Sequence, residues 1–183
     1  MSDEMIIRYC APTLAGIKTG NLFSCFCKSA DELCIKIRQL NKTLVPKGLR
    51  VLPLRFVKQR ALIYIFRPLY LKRDLSESIA KRLLITQGYP IENPDKCILK
   101  LMANLYSNED FPHEIGLFLG YPPEDVQGFI ENKASDCKCT GCWKVYSDEE
   151  NAIKTFNKYK KCTKLYSSLL SKGKSIEQLA VAI

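Results

Sequence analysis

The chain has 183 residues, a formal net charge of +9 at pH 7 and nine cysteines. Its 46% hydrophobic and 26% charged residues are ordinary for a globular protein, and they exclude a disordered tail protein, a collagen and a coiled coil. This length suits one hydrophobic core, so we expect a single domain over residues 1–183 with no internal boundary. No apolar run approaches the ~20 residues of a membrane span, and the acidic N-terminus lacks a secretory signal. We therefore expect a cytoplasmic protein with no membrane partner.

Hydrophobic periodicity and capping residues predict helices alternating with a few strands. In the first half we expect a helix over 3–16 interrupted at Pro12, a strand over 21–27, a helix from Ser29 to Leu44 and a β-hairpin over 49–67. Helices follow over 74–87, 94–107, 122–133 and 147–171, with short ones after Pro112 and Ser175 and a strand over 142–146. The sequence therefore predicts the α+β class, with a small, mostly antiparallel sheet of about three or four strands covered by about six to eight helices.

The positive charge has one conspicuous location, the long helix predicted near the C-terminus. On a helical wheel Lys154, Lys158, Lys161, Lys164 and Lys172 fall on one side, opposite Ala152, Phe156, Tyr159, Cys162, Tyr166, Leu169 and Leu170. Such a face is most often simply solvated, and a phosphate-binding surface is the alternative. No helix-turn-helix, RNP-like or zinc-finger spacing favours nucleic acid, so an acidic protein is the preferred partner and nucleic acid the less favoured one.

The cysteines suggest metal chemistry, because structural disulfides are rare in the cytoplasm. Cys137, Cys139 and Cys142 form a C-x-C-x-x-C run in which thiolates can converge on one ion. Cys162, Cys97 or the Cys25/Cys27 pair could supply the fourth ligand for zinc or an iron–sulfur cluster. The alternatives are a loop of incidental free thiols and a redox-active pair.

His113 is the single histidine of the chain, and histidine is the side chain best suited to move protons near neutral pH. A thiol held near it, such as Cys10, would become a thiolate nucleophile, and Glu114 would orient the ring or act as a base. Lys18 would lower the pKa of that thiol or bind an anion. The structural alternative places Glu114 at a helix N-terminus and His113 at the surface. The catalytic hypothesis requires Cys10 and His113 to line one cleft.

Three stretches carry a resemblance to a known family: Cys10–Lys18, Phe111–Pro122, and Trp143–Tyr146 followed by Phe156, Lys158–Tyr159 and Cys162–Thr163. They resemble an uncharacterised Firmicutes family, domain-of-unknown-function family 3793. The resemblance implies a clostridial source and a cytoplasmic single-domain protein, and it implies no activity. It also suggests genes for flavodoxin-type or iron-handling proteins nearby, and hence an acidic redox partner such as a flavodoxin. Within the matching stretches, Lys18 and Lys144 are the candidate cofactor-binding residues.

Three functional hypotheses follow. The first is a cytosolic redox or metal-handling accessory protein that uses a cleft of Cys10, His113 and Glu114. The second is a non-catalytic metal or iron–sulfur binder that uses the loop of Cys137, Cys139 and Cys142. The third is a basic interaction module for an acidic protein or nucleic acid. Whether the protein is an enzyme stays open in all three.

Overall fold

The computed structural model describes residues 1–107 and 111–183, and their elements alternate between helix and strand. The α-helices are α1 (Asp3–Leu14), α2 (Ala30–Leu44), α3 (Pro68–Leu75), α4 (Ser78–Thr86), α5 (Pro94–Ser107), α6 (Ile115–Phe118), α7 (Pro123–Glu131), α8 (Glu149–Ser171) and α9 (Ile176–Leu179). The strands are β1 (Gly20–Phe26), β2 (Arg50–Val57), β3 (Arg60–Phe66), β4 (Cys139–Thr140) and β5 (Lys144–Val145), and a 3-10 turn covers Val45–Lys47. The predicted α+β class with an antiparallel sheet is confirmed.

The chain forms two compact units, Met1–Leu69 with Tyr159–Ile183, and Tyr70–Lys158. We call them the sheet unit and the helical unit. The prediction of a single domain over 1–183 stays a prediction, because one domain can contain two compact units. Among the described residues no helix is long and apolar enough to cross a membrane.

The sheet unit contains a three-stranded antiparallel sheet in the order β1-β3-β2. Lys58 and Gln59 join β2 to β3 as a two-residue turn, and both have positive φ, the conformation that tight hairpin turns require. Side chains of Ile63 and Ile65 alternate with their neighbours along β3 and enter one hydrophobic core. Residues of α1, α2 and the C-terminal half of α8 complete that core.

Arg67 follows β3 and is fully buried in the sheet unit. Its guanidinium donates to four backbone carbonyls: Thr13 O and Leu14 O at 2.8 Å, Val181 O at 2.8 Å and Lys47 O at 3.2 Å. The carbonyls of Thr13 and Leu14 lie at the C-terminal end of α1 and also accept from Gly16 N and Val181 N, so the buried guanidinium gives each of them a second hydrogen bond. Arg67 thereby ties α1, the 3-10 turn and the C-terminal segment to the sheet.

The helical unit is built from short helices and the two-stranded β4–β5 hairpin. Helices α4, α6 and α7 and strand β5 pack together through α7. Gly120 ends the turn after α6 with φ +71, and Pro123 opens α7 at a position where its missing N–H costs nothing.

Two predictions about helix boundaries were wrong. Pro12 lies inside α1 and does not interrupt it, since the helix ends two residues later and loses only one hydrogen bond near its end. The helix predicted over 74–87 begins at Ser78, after α3 has ended at Leu75. Glu77 between them is extended, with ψ 144, which stops the two helices from merging.

Candidate functional site

An open cavity of about 200 Å³ lies within the helical unit. Its floor is apolar and buried and includes Ile115 and Val126, while its rim includes the exposed side chains of Phe111 and His113. The half-buried walls are formed by Tyr121, Phe129, Trp143 and Lys144. A cavity with mostly apolar lining and a few polar groups is the usual form of a ligand site.

Close packing between α6 and α7 shapes the cavity floor. A Cβ on Gly116 would lie 2.8 Å from Val126 Cγ2 and 3.1 Å from Tyr121 Cδ2, so only glycine allows these side chains to come this close. The turn at Gly120 and the start of α7 then place Tyr121 and Asp125 beside the floor.

Asp125 is a buried carboxylate in the first turn of α7, and it fixes one wall of the cavity. Its Oδ2 accepts from Trp143 Nε1 at 2.7 Å. Its Oδ1 accepts from Tyr146 N, Ser147 N and Ser147 Oγ, each at 2.8 Å. Four charge-assisted hydrogen bonds on one carboxylate anchor the hairpin of β4 and β5 to α7. The hydrogen bonds of Asp125 are therefore all used to hold Trp143 and the β4–β5 hairpin, which form this wall of the cavity.

Trp143 is held from several sides. Its ring lies 5.0 Å from that of Tyr121 and meets Phe156 edge-on at 4.5 Å, both favourable aromatic geometries. Phe156 reaches this position because position 141 is glycine, where a Cβ would lie 2.2 Å from the Phe156 ring. Burial raises the pKa of Tyr121 to about 12, and the nearby Cys142 thiol adds to that rise. The Tyr121 hydroxyl therefore stays neutral in the wall.

The cavity brings together two residues that the sequence singled out, His113 and Lys144. The His113 ring stands edge-on to Phe129 at 5.0 Å and is open to solvent. Lys144 Nζ donates to Ala134 O, which holds the ammonium group at the wall. Both groups can present a donor to a bound molecule, and Lys144 adds a positive charge.

Glu114 does not line this cavity. It is buried, and its Oε1 accepts from Tyr89 Oη at 2.6 Å and from Asn104 Nδ2 at 3.4 Å. Burial, followed by the hydrogen bond to Glu114, raises the pKa of Tyr89, so that hydroxyl remains a donor. The side chains that contact this carboxylate are thus Tyr89 and Asn104, and the proposed orientation of the His113 ring by Glu114 stays a prediction.

Cys10 lies in the sheet unit, whereas His113 lies in the helical unit. The Cys10 thiol has no exposed surface, and desolvation raises its pKa far more than the charge of Lys18 lowers it. A protonated, enclosed thiol is a poor nucleophile. Lys18 is itself buried, with its Nζ 5.9 Å from the centre of the Tyr159 ring. The catalytic assignment of Cys10, His113 and Glu114 stays a prediction, and this environment does not favour it.

The cysteines named as metal ligands fall in both units. Cys137 and Cys139 are half-buried and Cys142 is exposed, all in the helical unit, while Cys162 packs on the core of the sheet unit. Partial desolvation and the Glu149 carboxylate raise the pKa of Cys139, which disfavours its thiolate. Within residues 1–107 and 111–183, no three His, Cys, Asp or Glu side chains are grouped so that they could hold a metal ion.

Sequence reasoning missed the aromatic cavity itself. Asp125 falls within the helix predicted over 122–133, where it can complement the helix dipole, and Tyr121 and Trp143 belong to the family motifs. The signal was present as two dense aromatic stretches around His113 and Trp143, but nothing local indicates that they meet. The distinctive stretch of sequence around His113 extends over 109–121, and its first two residues, Glu109 and Asp110, lie outside the described residues.

The comparisons with known proteins identify a family and give no activity. No curated protein matches the chain, and no solved structure matches it either. The family model described as "Protein of unknown function (DUF3793)" matches residues 6–180, which include both units and the cavity. The chain therefore belongs to this family, as the three sequence motifs indicated.

Proposed function

We propose that the protein binds a small molecule in the cavity of the helical unit, and that the ligand combines a single apolar or aromatic ring with an anionic group. The observation that carries the proposal is the set of aromatic walls held in place by Asp125 around an open space of about 200 Å³.

The walls are fixed before any ligand arrives. Trp143 is held by Asp125 and packed between Tyr121 and Phe156, so binding would not have to order it. A site whose side chains are already ordered loses less entropy on binding, which favours affinity. The hydrogen bonds from Tyr146 and Ser147 extend the same rigidity to the backbone behind the wall.

The size of the cavity limits the ligand. Drug-sized molecules occupy roughly 300–1,000 Å³, so this smaller space suits one ring with a short substituent. Flat apolar surfaces on Tyr121, Phe129 and Trp143 favour a planar group, because offset and edge-on aromatic contacts add to the burial of apolar area.

The charge of the lining selects an anion. Asp125 is the acidic residue among the described residues that line the cavity, and its two oxygens already accept four hydrogen bonds. Lys144 and His113 supply the remaining polar groups. An ammonium ligand would be repelled by Lys144, whereas a carboxylate would gain a charge-assisted hydrogen bond.

Trp143 provides the test, because it is the single tryptophan of the chain. Its fluorescence is titrated with benzoate, with neutral benzyl alcohol and with cationic benzyltrimethylammonium. We expect saturable quenching by benzoate, binding about tenfold weaker for benzyl alcohol, which corresponds to one lost charged hydrogen bond, and no saturation with the cation.

Two variants localise the binding. Lys144→Gln should remove the preference for benzoate over benzyl alcohol, whereas Lys81→Gln, at an exposed position of the same unit that does not line the cavity, should leave it unchanged. Linear, non-saturating quenching by all three compounds, or equal binding of benzoate and the cation, would rule the proposal out.

The redox and metal roles drawn from the cysteines remain further predictions. Zinc and iron analysis and a visible spectrum of anaerobically purified protein test Cys137, Cys139, Cys142 and Cys162 as ligands. A protein without bound metal whose spectrum is unchanged by Cys→Ser substitutions would contradict this role. A cytoplasmic location, which would keep these thiols reduced, is proposed on the same basis.

A further inference from the structure

We infer that one face of α8 in the sheet unit binds the phosphate backbone of a nucleic acid duplex without reading its sequence. The lysine–serine face, as we call it, consists of Lys160, Lys161, Lys164, Ser167, Ser168 and Ser171 of α8 together with Lys172, which directly follows the helix. It is separate from the cavity, and the inference does not depend on the proposed function.

The helix period places these seven residues together. At ~100° per residue they fall within an arc of about 140°. All seven are exposed, and on the opposite side Tyr166 is buried and Cys162, Leu169 and Leu170 pack on the core. The four lysines therefore project from one side of a helix whose other side is fixed.

The charge on this face is not neutralised locally. Residues 151–176 contain seven lysines and no acidic residue. Among the described residues, none pairs a carboxylate with Lys160, Lys161, Lys164 or Lys172, whereas Lys154 Nζ lies 2.6 Å from Glu150 Oε1. A run of uncompensated lysines produces a local positive potential that attracts polyanions.

The composition of the face favours phosphates over an acidic protein. Lysine ammonium groups and serine hydroxyls are typical donors to phosphate oxygens, and neither identifies a base. A specific protein interface of standard size needs about 800 Å² per partner with aromatic or arginine anchors, and this face offers only Leu165, at its edge.

The same composition favours a duplex over a single strand. Single-stranded nucleic acid is usually bound by aromatic side chains on which bases stack, and the face contains none. From Lys160 to Lys172 the chain rises ~18 Å, which equals the axial rise of about five base pairs of a duplex.

The test measures the anisotropy of a labelled 20-base-pair mixed-sequence DNA duplex over a range of salt concentrations. The face variant is Lys160→Gln, Lys161→Gln, Lys164→Gln and Lys172→Gln combined. The matched control is Lys28→Gln, Lys42→Gln, Lys72→Gln and Lys81→Gln, all exposed positions elsewhere, so both variants lower the net charge equally. Circular dichroism confirms that both variants are folded.

We expect wild-type binding that weakens with salt, and a loss of about tenfold or more in the face variant against less than about threefold in the control. The slope of log K against log salt should fall by about 0.9 for each lysine that contacts a phosphate. Equal losses in the two variants, or no wild-type binding at low salt, would overturn the inference. Equally tight binding of poly-L-glutamate would overturn it in favour of an acidic protein partner.

Discussion

Each unit contains a buried charged side chain with four hydrogen bonds, and the two units use this side chain differently. In the sheet unit Arg67 donates to carbonyls from three separate segments. In the helical unit Asp125 accepts from one indole, two backbone N–H groups and one hydroxyl. Arg67 lies within a sealed core, whereas Asp125 stands at the edge of an open cavity.

The difference shows how a buried charge can serve stability in one place and a binding surface in another. Arg67 joins backbone carbonyls of three segments, so its role is complete within the fold. Asp125 satisfies backbone groups too, but it also fixes the aromatic ring that a ligand would meet. A substitution of Arg67 should therefore mainly lower the stability of the fold, whereas a substitution of Asp125 should also disturb the cavity.

The largest effect is expected at Arg67. Arg67→Met would remove four charge-assisted hydrogen bonds that join three segments of the sheet unit, so the free energy of unfolding should fall by about 3–5 kcal/mol. This free energy is measured by urea unfolding followed by circular dichroism. Arg73→Met, at an exposed arginine that pairs with Asp74, should cost less than about 1 kcal/mol. Equal effects of the two substitutions would contradict a structural role for Arg67.

Asp125→Asn should lower the free energy of unfolding by a smaller amount, about 2–3 kcal/mol. The amide oxygen can keep the bonds from Tyr146 and Ser147, but the amide nitrogen would face the Trp143 N–H, donor against donor. We expect a shift of the Trp143 emission maximum and weaker benzoate binding. Glu124→Gln, the exposed neighbour in the same turn, should change neither. An Asp125→Asn protein with unaltered emission would show that the carboxylate does not hold the wall.

Gly141→Ala tests the packing behind Trp143 by sterics alone. The new Cβ would lie 2.2 Å from the Phe156 ring, so the ring must move, at a cost of about 1–3 kcal/mol. Combining it with Phe156→Leu should recover part of this loss, and the two effects should not add. Urea unfolding of the four proteins measures the coupling, and strict additivity would place the cost elsewhere.

The smallest effect at neutral pH is expected for Tyr121→Phe. In the folded protein the pKa of Tyr121 is about 12, which exceeds the value of 10 for a free tyrosine. The contribution of its neutral hydroxyl to the free energy of unfolding is therefore complete below pH 10 and is lost as pH rises toward 12. The wild type should therefore lose stability more steeply than Tyr121→Phe between pH 10 and 12. Urea unfolding across that range measures both slopes, and parallel slopes would contradict the burial of this hydroxyl.

The fold was largely predictable because its signals are local. Ser29 caps α2, Pro94 opens α5 and Ser175 caps α9, all as expected from helix-terminus chemistry. The site was predictable only in part. His113 and Lys144 line one cavity, whereas the sequence paired His113 with Cys10 and Glu114, and the functional roles of all these residues stay predictions.

The sequence by itself determined the α+β class, most element boundaries and the basic face of α8, because capping and hydrophobic periodicity act between residues close in the chain. Only the tertiary structure decided that Cys10 is enclosed in a core, that Glu114 bonds to Tyr89, and that Trp143 is held by Asp125. These facts depend on contacts between residues distant in the chain. Such contacts are set by how helices and strands pack, and no local pattern encodes them.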